Sequence, residues 1–178
     1  MPATETPQLL RPAADVSGPL FVGIDLGGTN IKVALVDNSG QLIAFHTEPT
    51  NVAHGPDNAA VRMGQSVGLL AGCVGRDRSG ISAVGLGTPG PQNLSTGILL
   101  KPGNFPGWEN FPIRERVSEH CGHNVTYAND ATAAAYGEFW VGSGRDDSSL
   151  VLLTLGTGVG GGIIIHDMTI EGAHSHGS

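Results

Sequence analysis

Asp25, Lys32, Asn104, Asn129 and Asp130 are the polar residues of this sequence whose neighbours give them chemistry to do. Asp25 and Lys32 flank a loop, Gly27-Gly28-Thr29, set between the apolar runs 20–26 and 31–37. Glycine in such a loop permits positive φ and carries no Cβ, so backbone N–H groups can close on an anion. Thr29 adds a hydroxyl to those donors. Asp25 ends a run that reads as a buried strand, where an ionised carboxylate is costly unless it is paired or faces a cation. Beside a phosphate loop its natural partner is hydrated Mg²⁺, which favours carboxylate and phosphate oxygens. Lys32, the lone charge in its apolar run, is within reach of a phosphate. A plain hairpin with Asp25 capping the turn is the bland alternative.

The pattern recurs at residues 150–165, where Gly156-Thr157-Gly158 separates two further apolar runs. Two such hairpins facing each other can grip one polyphosphate from both sides, and that weakens the bland alternative. Asn129-Asp130 follows a short apolar run and opens an alanine-rich stretch. An isolated pair there is an ordinary helix N-cap. A strand's carboxyl end is also where ligands of α/β sheets collect. A carboxylate at that place can accept a proton from a hydroxyl that attacks a γ-phosphate. Asn104-Phe105-Pro106-Gly107-Trp108 lies in a loop stiffened by Pro102, Pro106 and Pro112. An amide beside an aromatic ring suits a sugar, although Trp108 itself reads better as a hydrophobic plug.

Other signals carry less. Gly85-x-Gly87-x-x-Gly90 and Gly156-x-Gly158-x-x-Gly161 match a dinucleotide fingerprint, but Pro89 and Pro91 interrupt the first and an apolar strand follows the second. Neither opens the helix whose N-terminus would hold a pyrophosphate. His174 and His176 sit in a glycine-rich stretch without a third ligand, and the remaining histidines carry no signal. Cys73 and Cys121 form neither a metal spacing nor a disulfide framework and suggest a reducing cytosol. A net charge of −7 provides no basic footprint for nucleic acid or an anionic membrane. The 28 glycines cluster at the ends of apolar runs, so loops account for them rather than a repeat.

The elements that must position these residues read as an α/β domain. Strands are predicted over 20–26, 31–37 and 41–47, with Asn38-Ser39-Gly40 as the second turn. A helix over 56–74 buries Met63, Val67, Leu70 and Val74 at helical spacing, and its Gly64, Gly68 and Gly72 let it sit close on the sheet. There follow a strand over 81–87, a Pro/Gly-rich segment over 88–112, a helix over 113–121 and a strand over 124–128. A helix over 130–140 and a linker over 142–148 lead into the second hairpin. Residues 1–19, rich in proline, are expected to be a disordered tail, and 20–141 one complete domain. Residues 149–178 read as the opening of a second, truncated domain, because the second hairpin is apolar on both faces and has little sequence after it.

Taken together, these motifs resemble the sugar kinases of the repressor, open reading frame, kinase (ROK) family, and within it most resemble the bacterial glucokinases. IDLGGTNIKVALVD looks like the family's first phosphate motif, GLGTPG its sugar-domain loop and NFPGW its sugar-contacting loop. ANDATAAAYGE is similar to the catalytic segment, and LTLGTGVGGGII to the second phosphate motif. The resemblance implies the two-domain actin-like ATPase fold, with ATP and a hexose in the cleft. By it Asp130 is the base that activates the 6-hydroxyl, and Asn104 and Asn129 hold the sugar. Gly27, Gly28, Thr29, Gly156, Thr157 and Gly158 approach the phosphates, with Asp25 on the magnesium side. It also implies a Glu-x-Gly-His motif and a zinc site beyond the chain end; a homodimer or higher homo-oligomer is expected of the full-length protein, and the two free thiols make the expected location cytoplasmic.

The alternatives are a sugar-responsive transcriptional regulator of the same family and an inactive fragment of the kinase. Glucose, other hexoses and hexosamines stay open as substrates, as does ATP against polyphosphate. A branched side chain at Gly28 or Gly156 is expected to weaken ATP binding and to leave sugar binding intact.

Overall fold

In β2 (Leu20–Leu26) Leu20, Val22, Ile24 and Leu26 are buried, and Phe21, Gly23 and Asp25 between them are not. β3 (Asn30–Asp37) repeats this alternation with Ile31, Val33 and Leu35 inside, so the two strands share one buried face. A computed structural model describes residues 6–155 and 159–172. The predicted loop Gly156-Thr157-Gly158 and the histidines His174 and His176 lie outside them.

β2 and β3 belong to a six-stranded sheet of order β1-β4-β3-β2-β5-β8, where β1 is Gln8–Leu9, β4 Leu42–Pro49, β5 Ala83–Thr88 and β8 Val125–Asn129. The four strands from β1 to β2 pair antiparallel, and β2, β5 and β8 pair parallel. Parallel neighbours need long crossovers. These are supplied by α1 (Pro56–Cys73) before β5 and α2 (Ile113–Cys121) before β8. Both helices bury their apolar stripes in one core, Met63, Val67 and Leu70 from α1 and Ile113 and Val117 from α2. Of the glycines of α1, Gly64 serves a different contact from the one predicted, while Gly68 faces the Arg78 side chain and Gly72 has nothing within 4 Å. A Cβ at Gly64 would stand 2.5 Å from the His120 backbone, so the close approach is between α1 and α2 and not onto the sheet.

Two further differences from the sequence reading have plain causes. The predicted disordered tail is ordered at Gln8–Leu9, which pairs with Phe45 and Ala44 of β4, and Arg11 meets Asp37 at 3.0 Å. The outer edge of β4 presents unpaired backbone groups, and this segment satisfies some of them. Within the Pro/Gly-rich segment, β6 (Gln92–Asn93) and β7 (Ile98–Leu99) form a small hairpin too short to carry a periodic signal.

α3 (Asp130–Trp140) starts directly at the end of β8. Against it lies a three-stranded sheet of β9 (Ser149–Leu155), β10 (Val159–Ile165) and β11 (Met168–Thr169). The glycines of β10 make this contact possible. A Cβ at Gly162 would fall 2.4 Å from Ala135 Cβ, and one at Gly160 would fall 3.1 Å from Ala131 Cβ. The alanines of α3 and the glycines of β10 are therefore the two halves of one close packing surface.

Candidate active site

The site is built at the carboxyl ends of β2, β5 and β8. Register sets Asp25 beside Lys32 on one side and Gly87 on the other, and Gly87 beside Ala128. Gly87 has no side chain to fill the space between Asp25 and the start of α3. A Cβ there would rest 3.5 Å from the Asp130 Cα. Asp25, Lys32 and Asp130 thus line one cleft of about 780 Å³, which continues over the open sheet face at Gly23, Gly85 and Thr126.

Asp25 is not buried as its strand position predicts. Its side chain is 48% exposed and its Oδ2 accepts a hydrogen bond from Lys32 Nζ at 3.4 Å. Asp25 belongs to the face of β2 that α1 and α2 leave uncovered, so it keeps its hydration. A pair this exposed contributes little to stability, about 0–1 kcal/mol, and both groups remain available to a ligand.

The loop between β2 and β3 is a tight turn. The Gly27 N–H donates to the Asn30 carbonyl at 3.0 Å and so is committed within the protein. Among the described residues, no acceptor takes the N–H groups of Gly28 and Thr29, both of which are exposed. Thr50, which is 1% exposed, holds the loop from below: its N–H donates to the Thr29 carbonyl at 2.8 Å and its hydroxyl donates to the Gly27 carbonyl. Arg62 in turn donates to the Thr50 carbonyl and to Glu48. Thr50 carries no motif of its own. The register of Asn30 on Pro49 is what sets it beside the loop, and only the sheet reveals that.

Asn104 is exposed and leans on the same loop, since a Cβ at Gly28 would stand 3.3 Å from Asn104 Cβ. Its own loop is anchored by Trp108, 1% exposed, whose Nε1 donates to the Val52 carbonyl at 3.0 Å and whose ring lies 4.8 Å from that of Phe105. Trp108 is the plug the sequence suggests.

Asn129 is the N-cap of α3. Its Oδ1 accepts from the N–H groups of Ala131 at 2.9 Å and Thr132 at 3.2 Å. Its Nδ2 has no acceptor among the described residues. Asp130 opens the helix and is partly buried. Burial pushes its carboxyl above the ordinary aspartate range; the Ala131 N–H, 2.8 Å from Oδ1, opposes this, and the negative charge of Asp25 adds to it.

Residues 21–178 match the family model described as ROK family. The chain belongs to the ROK family. It is 34% identical over 158 residues to the glucokinase of Thermotoga maritima, a match that covers 89% of this chain and 48% of that protein. The crystal structure of the ROK hexokinase from Thermus thermophilus superposes with a TM-score of 0.79 at 34% identity, over 89% of this chain and 51% of that one. A ROK family glucokinase from Streptomyces griseus, in complex with glucose and AMPPNP, superposes with a TM-score of 0.75 at 31% identity, over 88% of this chain and 47% of that one. The chain spans about half the length of the curated relatives it matches. Its fold is the α/β, actin-like ATPase fold of the ROK sugar kinases.

Within this ROK fold the residues present fit a magnesium–nucleotide. A half-exposed carboxylate faces the cleft, and the adjoining loop carries two N–H groups that no acceptor among the described residues takes. Among the described residues no group of three or more His, Cys, Asp or Glu could hold a metal ion alone, and no helix is long and apolar enough to cross a membrane.

Proposed function

We propose that the chain supplies the base, one phosphate loop and part of the sugar site of a kinase that transfers the γ-phosphoryl group of ATP to the 6-hydroxyl of a hexose, with glucose as first choice. The observation that carries this reading is Asp130, a carboxyl held above its ordinary range at the mouth of the cleft that Asp25 and Lys32 also line. The names of its relatives, glucokinases and a ROK hexokinase, support the same choice. In the reading, residues 20–141 form one wall of the interdomain cleft and 149–178 begin the other.

Each residue then has a stated task. Asp130 accepts the hydroxyl proton as the oxygen–phosphorus bond forms and the bond to the leaving ADP oxygen breaks. A raised pKa makes it a stronger base than an ordinary aspartate. Asn104 and the Nδ2 of Asn129 hydrogen-bond the sugar, and Gly28 and Thr29 give their N–H groups to phosphate oxygens. Asp25 holds the hydration shell of Mg²⁺, which when bound neutralises charge on the phosphates, and Lys32 leaves its exposed pair for a phosphate oxygen. Gly156, Thr157 and Gly158 complete the grip from the other wall.

The test is Asp130→Asn in a protein of the full family length that carries this chain. Hexose binding persists, and kcat falls by about 10²–10⁴, the usual worth of a general base. Activity of the parent needs ionised Asp130, so it declines as pH falls through the raised pKa, at higher pH than an ordinary aspartate would give. That acid limb disappears in the variant. A variant with near-parental kcat would remove Asp130 from the mechanism.

A further inference from the structure

One buried polar cluster outside the residues assigned above touches the junction that carries Asp130. Thr88 at the end of β5, Gln92 in β6 and Tyr127 in β8 are 0%, 1% and 8% exposed. The hydroxyls of Thr88 and Tyr127 lie 2.8 Å apart. Burial pushes the Tyr127 phenol up to about 12, so it remains a hydrogen-bond donor throughout the working range.

The Gln92 amide has one orientation in which every atom is matched. Its nitrogen donates to the Thr88 carbonyl at 3.2 Å and to the Thr88 hydroxyl at 2.8 Å, and its oxygen accepts the backbone N–H of Asn129 at 2.8 Å. That N–H belongs to the N-cap residue itself. In a capping box the acceptor for it is a Glu or Gln in the first turn of the same helix. Here the acceptor arrives from β6, on a separate segment, and ties the last residue of β8 to the last residue of β5. Asn129 then fixes α3 through its own side chain, and Asp130 is the next residue.

We propose that Gln92 is a positioning residue, clamping the Asn129 backbone to the end of β5 and thereby setting where the Asn129 and Asp130 side chains point. A buried amide with no slack holds an angle better than a solvated one, because each atom it could swing toward is already matched. The consequence for catalysis rests on Asp130 being the base. A misplacement on the order of 1 Å at such a group is worth roughly 10²-fold in rate.

Gln92→Met, of similar length and without polar hydrogens, removes both ends of the clamp. In the full-length protein we expect kcat to fall about 10–100-fold and the hexose KM to rise, with the KM for MgATP within about twofold and the melting temperature within a few degrees. Gln92→Glu, whose carboxyl is kept protonated by burial, restores one acceptor and one donor and recovers most of the loss. A folded Met variant with kcat within about threefold of the parent overturns the proposal. Where the Met variant does not fold, hydrogen exchange at the Asn129 amide of the parent decides: protection of about 100-fold or more supports the clamp, and free exchange overturns it. The exchange reading needs no turnover, so near-parental kcat in Asp130→Asn would remove Asp130 as base while exchange at Asn129 still decides the clamp.

Discussion

The two glycine hairpins of this chain share a sequence pattern and differ in what their glycines do. In the β2–β3 hairpin the glycines occupy the turn, and the strands lie inside a six-stranded sheet with neighbours on both sides. In the β9–β10 hairpin, Gly160 and Gly162 lie within a strand and let it close on α3. That sheet buries the face against α3 and leaves Val151, Leu153, Leu155 and Val159 between 66% and 81% exposed on the other. An apolar run, a glycine loop and a second apolar run are enough to specify a hairpin. Whether a glycine serves a ligand or a packing contact depends on what lies across from it.

Single methyl groups separate the two uses, and the largest expected effect is at Gly162. A methyl group added at Gly162 would stand 2.4 Å from Ala135 Cβ and 2.9 Å from the Ala131 carbonyl, so strand and helix must part. Gly162→Ala should cost about 1–3 kcal/mol, the usual range for overpacking, with Gly162→Val worse. Gly23→Ala, in a β2 position with nothing within 4 Å of the new methyl, should stay within about 0.5 kcal/mol. Urea unfolding of both variants measures this. Equal costs would mean that α3 and β10 are not in the close contact described.

The parts of this architecture legible in the sequence are those set by local pattern. β2, α2 and α3 have the bounds predicted, β2 from its apolar run ending in glycine and α3 from its N-cap and alanine-rich interior. The pairing of α1 with α2 through Gly64 does not follow, because the sequence around Gly64 says only that a close neighbour is tolerated and not which one. The same holds in the site. Asp25 and Lys32 are recognisable as chemical residues, but their exposure depends on which face of β2 the helices cover. Thr50 and Gln92 are invisible in the sequence, since each acts on a loop or junction brought near it by sheet register or by a short hairpin. Gly85 and Gly87, whose spacing makes a false dinucleotide match and whose segment GLGTPG resembles the family's sugar-domain loop, line the cleft, and Gly87 holds open the space beside Asp130.

A second contrast concerns the outer faces. The first hairpin turns its large apolar side chains into a core, and the second presents a row of them to water beside the outer edge of β9, which pairs with no other strand among the described residues. Such a face is a site of self-association. The 178-residue chain assayed alone should therefore associate with rising concentration, and Leu153→Lys, placing a charge in the middle of the row, should raise the association midpoint by about tenfold, or 1.4 kcal/mol. Sedimentation velocity over a concentration series checks this. A monodisperse monomer for the parent chain would show that the exposed row is harmless.

The smallest effect separates the turn glycines from one another and sets a second expectation against the first. The sequence alone ties Gly28 to ATP and not to the sugar. Its open side instead faces Asn104, 3.3 Å from where a Cβ would sit, so the phosphate loop and the proposed sugar loop share a wall. That separation is tight without being impossible, and Asn104 is exposed and free to shift by a few tenths of an ångström. Gly28→Ala in the full-length protein should raise the KM for hexose and for MgATP together, each by about three- to tenfold, with kcat less affected. Gly27 supplies the control within the turn. Its N–H closes the turn onto Asn30, and a Cβ there would meet the same backbone carbonyl at 2.9 Å, so Gly27→Ala should disturb the turn itself and the phosphates first. Steady-state kinetics with each substrate varied in turn distinguish the two. If Gly28→Ala raised only the nucleotide KM, Asn104 would not be leaning on the loop when the substrates are bound, and the two loops would act independently.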